Sequence, residues 1–245
     1  MEITVQTTGD GGTQHTSSAA PRVKAWDLPT RLFHWLLALL ILSAYLTRKN
    51  TGDLAWHKWT GYAILILIVF RILWGFSGSS TSRFSSFLYG PIAALRYGFD
   101  FLLRRPRRFL GHNPLGGIVV FVMLGLVAAQ GVLGLFSYDD HDSIDGGPLS
   151  GRISEGLMAT LTAWHIWLFY ILLYVIIAHI TANVLYILWK RENLVTPMIT
   201  GKKRAAPFED AAAAQIAPAW RALVCLVLAV AIVLGGIMLA GGRPF

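Results

Sequence analysis

Five apolar runs, at residues 30–47, 57–76, 115–136, 161–189 and 219–240, dominate this 245-residue chain. About 20 apolar residues cross the roughly 30 Å of bilayer hydrocarbon as a helix. Hydrocarbon offers no partner to an open backbone group, so each run must be helical. Only 14% of the residues are charged, against about 25% in soluble domains. The runs therefore predict an all-α integral membrane protein, and the fourth is long enough to tilt or project from the bilayer.

Charge orients the spans. The net charge is +8. Arg22, Lys24 and Arg31 precede the first span. Arg83, Arg96, Arg104, Arg105, Arg107 and Arg108 lie between the second and third. Lys190, Arg191, Lys202, Lys203 and Arg204 follow the fourth. The alternate loops are poorer, with Arg48, Lys49 and Lys58 in one and Arg152 in the other. The positive-inside rule places the N-terminus in the cytoplasm and the C-terminus outside a bacterial inner membrane. Asp139, Asp140, Asp142 and Asp145 then face the far side. The basic run 104–108 beside a span marks topology and anionic lipid rather than nucleic acid.

Residues 1–25 lack an apolar core and read as a disordered cytoplasmic tail, not a signal peptide. Residues 26–205 form the expected four-span core, 206–218 an alanine-rich linker, and 219–245 an additional span without histidine. Within the 77–111 connection, Ile92, Leu95, Phe99, Leu102 and Leu103 recur at helical spacing beside Arg96, Arg104 and Arg105. That pattern predicts an amphipathic helix at the cytoplasmic interface. The single cysteine, Cys225, allows no internal disulfide and no Cys-x-x-Cys-His for covalent haem attachment, and reads as a small apolar packer.

The histidines carry the chemistry. His165 and His179 lie fourteen residues apart in one span, which is ~21 Å along a helix and within ~40° of the same face. His34 opens the first span and His57 the second. Alternating span direction puts His57 at the depth of His165 on the outer side, and His34 at the depth of His179 on the inner side. Neutral imidazole ligates haem iron, and a buried imidazole in lipid needs a reason to be there. Two matched pairs predict two non-covalent haem b groups, each held by two histidines. Any single one of these residues alone would read as an interfacial or packing histidine.

Fourteen residues after His34 is Arg48, and fourteen after His57 is Arg71. Each arginine falls at the depth of the opposite haem, where it suits a haem propionate. Gly61, one turn after His57, leaves room for a flat macrocycle. His112, at the start of the third span, is a candidate quinone contact or proton relay beside Arg71, Arg96 and Tyr97. Tyr45, Trp56 and Trp164 suit an outer aromatic belt. His141 in the acidic loop and His15 in the tail read as solvated.

The chain resembles prokaryotic dihaem b-type cytochromes of the cytochrome b561 and nickel–iron-hydrogenase cytochrome b group. The resemblance rests on VKAWDLPTRLFHW at 23–35, HKWTGY at 57–62, FRILWG at 70–75, GHNPLGG at 111–117, and His165 with His179. It covers about residues 23–204. It implies a four-helix core, two b haems, and electron exchange between the quinone pool and a periplasmic or membrane-bound redox protein. Members act alone or as the membrane subunit of a partner, and a homodimer is left open. The fifth span and the tail depart from the common four-helix form. A stand-alone quinone-linked haem oxidoreductase and a haem-free membrane anchor are the other function classes that the sequence leaves open.

Overall fold

The computed structural model describes residues 21–48, 54–103, 107–138 and 146–243. The expectations for residues 1–20, Lys49, Arg104, Arg105, His15, His141 and the acidic run from Asp139 to Asp145 lie outside the described residues. The described elements are β1 (Arg22–Lys24), α1 (Leu28–Thr47), α2 (Leu54–Ser77), α3 (Pro91–Leu102), α4 (Pro114–Phe136), α5 (Glu155–Lys190), α6 (Val195–Thr200), β2 (Lys202–Arg204) and α7 (Ala219–Leu239). Five helices, α1, α2, α4, α5 and α7, are long and apolar enough to cross a membrane. The fold is thus the expected all-α membrane bundle, with a two-stranded antiparallel ribbon of β1 and β2 as its only sheet among the described residues.

The helices start earlier than their apolar runs because local chemistry, not hydropathy, sets the first turn. Asp27 caps α1, accepting a hydrogen bond from the Thr30 amide at 2.7 Å, with Pro29 just inside the helix. Asn113 caps α4 by accepting from the Gly116 amide at 2.8 Å, and Pro114 follows at the first position. The 36 residues of α5 span about 54 Å, well beyond the bilayer core. Its first turns carry Glu155, Gly156 and Thr160 and extend beyond the apolar run.

Packing follows an unequal pattern. Helix α2 is the hub, closely packed on α1, α4 and α7, and α4 packs on α5. α1 and α5 are not closely packed on each other. The resulting gap between α5 and the α1/α2 pair is the central feature for function. α7 lays Cys225, Ala229, Val233 and Ile237, a repeat of four residues, against α2. Cys225 is a packer, as its context predicts, with its sulfur 3.3 Å from the Ser77 hydroxyl.

The segment joining α6 to α7 is pinned rather than slack. Glu209 accepts a forked pair of hydrogen bonds from Arg107, and Asp210 accepts from the amides of Leu110 and Gly111. The Gln215 and Ala217 amides donate to the hydroxyls of Ser80 and Ser79. At the other end of the chain, residues 22–24 of the expected tail pair with 202–204. α3 exposes Ile92, Leu95, Phe99 and Leu102 and buries Ala94 and Tyr97, as an interfacial amphipathic helix requires.

One buried network locks the end of the bundle. Besides capping α1, the Asp27 carboxylate, 2% exposed, accepts from the Trp74 indole N–H at 3.2 Å and the Ser82 hydroxyl at 2.9 Å. Thr30 and Ser82 share a further 2.7 Å hydrogen bond. Asp27→Ala removes a helix cap and strands two buried donors, so it should lower stability by about 2–4 kcal/mol. Thermal unfolding in detergent checks this: a clear fall in Tm is expected, and an unchanged Tm would contradict the role of the network.

Candidate functional site

Four histidines face each other across the gap in the pairs that depth predicts. The His57 and His165 ring centres are 6.3 Å apart with planes at 84°. The His34 and His179 centres are 6.4 Å apart with planes at 50°. Two imidazoles each about 2.0 Å from a shared metal, with roughly 1.1 Å from nitrogen to ring centre, give about 6.2 Å. Both pairs therefore stand at the separation of two nitrogen ligands on one metal ion. Direct ring contact would bring them closer.

The backbone fixes which nitrogen is offered. His57 Nδ1 donates to the Ala44 carbonyl at 2.9 Å, and His165 Nδ1 donates to the Gln130 carbonyl at 3.0 Å. A carbonyl only accepts, so the proton sits on Nδ1 and the Nε2 lone pair is left for a metal. Gly134 lets α4 come this close: a Cβ there would stand 3.1 Å from the His165 ring. A Cβ at Gly61 would meet nothing within 4 Å, so the position one turn from His57 borders open space, as a flat macrocycle needs.

The arginines lie near opposite ends. Arg71 is 3% exposed and its Nη1 has no hydrogen-bond partner among the described residues. Its guanidinium lies 4.9 Å from the Phe84 ring centre, and the nearest balancing charge is that of Asp27. A buried cation with an open donor is suited to an additional carboxylate. Arg48 ends α1, lies over the Tyr45 ring at 3.7 Å, and is close enough for its charge to act on His57.

His112 is half-buried at the His34/His179 end, edge-on to Trp26 at 4.8 Å and beside Phe87 at 4.5 Å. Its Nδ1 has no partner among the described residues. Gly117 brings the Phe87 segment onto α4, since a Cβ there would lie 2.4 Å from the Phe87 carbonyl. Burial, then the charges of Arg71 and Lys203, push the His112 imidazole down to about 3. Tyr97 reaches this end through Tyr186 and Asn113, whereas Arg96 faces outward. The Tyr97 hydroxyl is 2.6 Å from that of Tyr186, which also accepts from the Asn113 amide at 2.8 Å. Tyr97 thereby ties α3 to α5, and burial pushes it up to about 12. Arg96 is exposed and borders a surface hollow of about 540 Å³ with Tyr89, Arg107, Phe109 and Glu209.

Sequence reasoning missed three contributors. Asp27 signalled itself as a cap before Leu28 and Pro29. Gln130, whose side-chain Nε2 lies 3.3 Å from His165 Nε2, is the single polar side chain of α4. Asn183 follows His179 by one turn, with its Nδ2 3.4 Å from His179 Nε2.

Residues 25–201 match the family model described as prokaryotic cytochrome b561. The chain belongs to the prokaryotic cytochrome b561 family. Membership makes it a multi-pass membrane cytochrome of the b type, and haem b is the group that the facing histidines fit. The chain is similar to the probable Ni/Fe-hydrogenase B-type cytochrome subunit of Rhizobium leguminosarum, 24% identical over 221 aligned positions covering 77% of this chain and 91% of that one. The corresponding protein of Rhodobacter capsulatus is 26% identical, covering 80% of this chain and 87% of the relative. That of Bradyrhizobium diazoefficiens is 24% identical, covering 75% and 87%. No solved structure matches this cytochrome.

The depressed His112 has a measurable consequence. Unfolded, it takes up a proton near pH 6.5; folded, it refuses one until about pH 3. Its contribution is complete above pH 6.5 and falls as pH drops toward 3, by about 1.4 kcal/mol per pH unit. His112→Gln should flatten the loss of Tm between pH 7 and pH 5 by the equivalent of roughly 2 kcal/mol. Parallel Tm–pH curves for the two proteins would contradict this.

Proposed function

We propose that this chain is a transmembrane electron-transfer subunit holding two non-covalent b haems, working between the quinone pool and a redox protein on the outer face. The observation that carries this reading is the two imidazole pairs, 6.3 and 6.4 Å apart, set at two depths of one gap. His57 and His165 would hold one haem, and His34 and His179 the other. Haem bound by two imidazoles would supply one-electron redox chemistry, which favours electron transfer over oxygen binding. Arg71 would pair with a carboxylate of the group at the His34/His179 end, and Arg48 with one at the His57/His165 end. The open space at Gly61 accommodates the macrocycle.

The basic loops support an N-terminus and a His34/His179 end on the cytoplasmic side of a bacterial inner membrane, with a periplasmic C-terminus. The relatives are named as hydrogenase cytochrome subunits, which supports a Ni/Fe-hydrogenase as the outer redox partner. Quinone docks at the cytoplasmic end. There His112 offers a buried Nδ1 with no partner among the described residues, and an apolar slot with few polar groups is the usual quinone environment.

A pyridine haemochrome assay on the purified chain should give about two b haems; none would end the proposal. His34→Ala and His179→Ala should each lose one and the same haem, and His57→Ala and His165→Ala the other. If His34→Ala and His165→Ala lost the same haem, the pairing would be wrong. His112→Ala should slow haem reduction by quinol severalfold with both haem spectra retained. Unchanged quinol kinetics would move the quinone to the opposite face.

A further inference from the structure

Two buried tyrosine hydroxyls at the His34/His179 end of the bundle carry one hydrogen more than their surroundings can accept. Tyr186 lies seven residues beyond His179 on α5, ~10.5 Å farther along the helix and within ~20° of the same face. Its hydroxyl is 2.6 Å from that of Tyr97, and the two residues are 8% and 1% exposed. Both flanks of the pair are donors. Asn113 spends its Oδ1 on the Gly116 amide, so its Nδ2, 2.8 Å from the Tyr186 hydroxyl, donates to it. Lys190 Nζ donates to the Tyr97 hydroxyl at 3.3 Å and sits 4.9, 5.2 and 5.5 Å from the ring centres of Tyr97, Phe101 and Tyr186. Neither an ammonium nor an amide nitrogen has a lone pair to offer. One phenolic hydrogen therefore spans the Tyr97–Tyr186 bond, and the other finds no acceptor among the described residues. A buried donor without a partner is costly, so the place suits an acceptor oxygen from outside the chain.

We propose that Tyr97 and Tyr186 form a proton relay for the quinone, with Lys190 as its contact with water at the cytoplasmic end. The inference rests on the quinone reading above and deepens it: His112, the chain neighbour of Asn113, contacts the quinone, and the tyrosine pair supplies its protons. Quinone becomes quinol by gaining two electrons, passed singly through the haems, and two protons. For each proton, an O–H bond forms on a quinone oxygen as the Tyr186 O–H bond breaks. Tyr186 takes the hydrogen of Tyr97, Tyr97 takes one from Lys190 Nζ, and Lys190 regains a proton from water. The chain ends each cycle unchanged, and quinol oxidation runs the same hops backwards. At 2.6 Å the two hydroxyls form a short bond, across which a hydrogen has little distance to move. The three rings around Lys190 hold its ammonium within reach of Tyr97.

Stopped-flow oxidation of the full chain in detergent, its haems reduced in advance, tests this at the Soret band. A decyl-substituted benzoquinone is one oxidant. Ferricyanide, which takes an electron and no proton, is the other. Tyr186→Phe keeps the ring and removes the hydroxyl. It should slow oxidation by the quinone about a hundredfold, the lower end of what a positioned proton donor contributes. Oxidation by ferricyanide and haem content should stay at wild-type values. Tyr97→Phe and Lys190→Met should each slow the quinone reaction alone, at least severalfold. In heavy water the wild-type quinone reaction should slow and the ferricyanide reaction should not. A wild-type quinone rate in Tyr186→Phe would overturn the proposal. So would equal slowing with both oxidants, which marks a structural role, and so would loss of haem, which would assign the spare hydrogen to a haem carboxylate. If Tyr186→Phe fails to insert, Tyr97→Phe carries the same test. Quinone that leaves wild-type haems reduced, or that oxidises His112→Ala at the wild-type rate, would instead bring down the quinone reading itself, so the two failures are distinct.

Discussion

Everything in this structure depends on holding α5 apart from the α1/α2 pair. A membrane bundle gains its stability from close van der Waals packing of helix on helix, and α2 achieves that with α1, α4 and α7. Between α5 and the α1/α2 pair the backbones stand apart, and the interval holds the facing imidazoles at 6.3 and 6.4 Å on either side of an apolar cluster that includes Ile64, Ile68 and Leu172. A gap of that width between apolar helices is costly unless something flat and apolar fills it. Haem b seated there would fill the interval and use the facing imidazole nitrogens, which would make cofactor and fold mutually dependent.

The rest of the architecture holds the gap open. At the His34/His179 end, Asp27 ties the start of α1 to Trp74 at the end of α2 and to Ser82 beyond it. Tyr97, Tyr186 and Asn113 bind α3, α5 and the start of α4 into one unit. The segment before α7 is fastened to the 107–111 and 79–80 stretches by side chains of Glu209 and Asp210 and by backbone amides. With the scaffold held from outside, Arg71 can be buried with an open Nη1 without collapse around it. That arrangement fits a site completed by a carboxylate that the chain does not supply.

Much of this was legible in the residues, for physical reasons that can be named. Hydrocarbon demands long apolar helices, so five spans were readable. The fourteen-residue spacing returns to one helix face, so which histidines face each other was readable too. Helix starts were not, because Asp27 and Asn113 act through hydrogen bonds that hydropathy does not register. Nor were the roles of Tyr97 and Gln130. Whether Tyr97 faces a cofactor or bonds to Tyr186 depends on how α3 lies across α5, a tertiary choice that no local pattern encodes. Gln130 did leave a trace as the one polar side chain in α4, but its target became visible only once α4 lay on α5.

The central claim is that each imidazole pair holds one iron between two nitrogens. Low-temperature electron paramagnetic resonance of the oxidised full chain tests it most directly. The ring planes meet at 84° in one pair and 50° in the other, and ligand-plane angle alters the ferric d-orbital splitting. Two distinct low-spin ferric signals are predicted, in about equal amounts. A dominant high-spin signal, or a single low-spin species, would contradict the account.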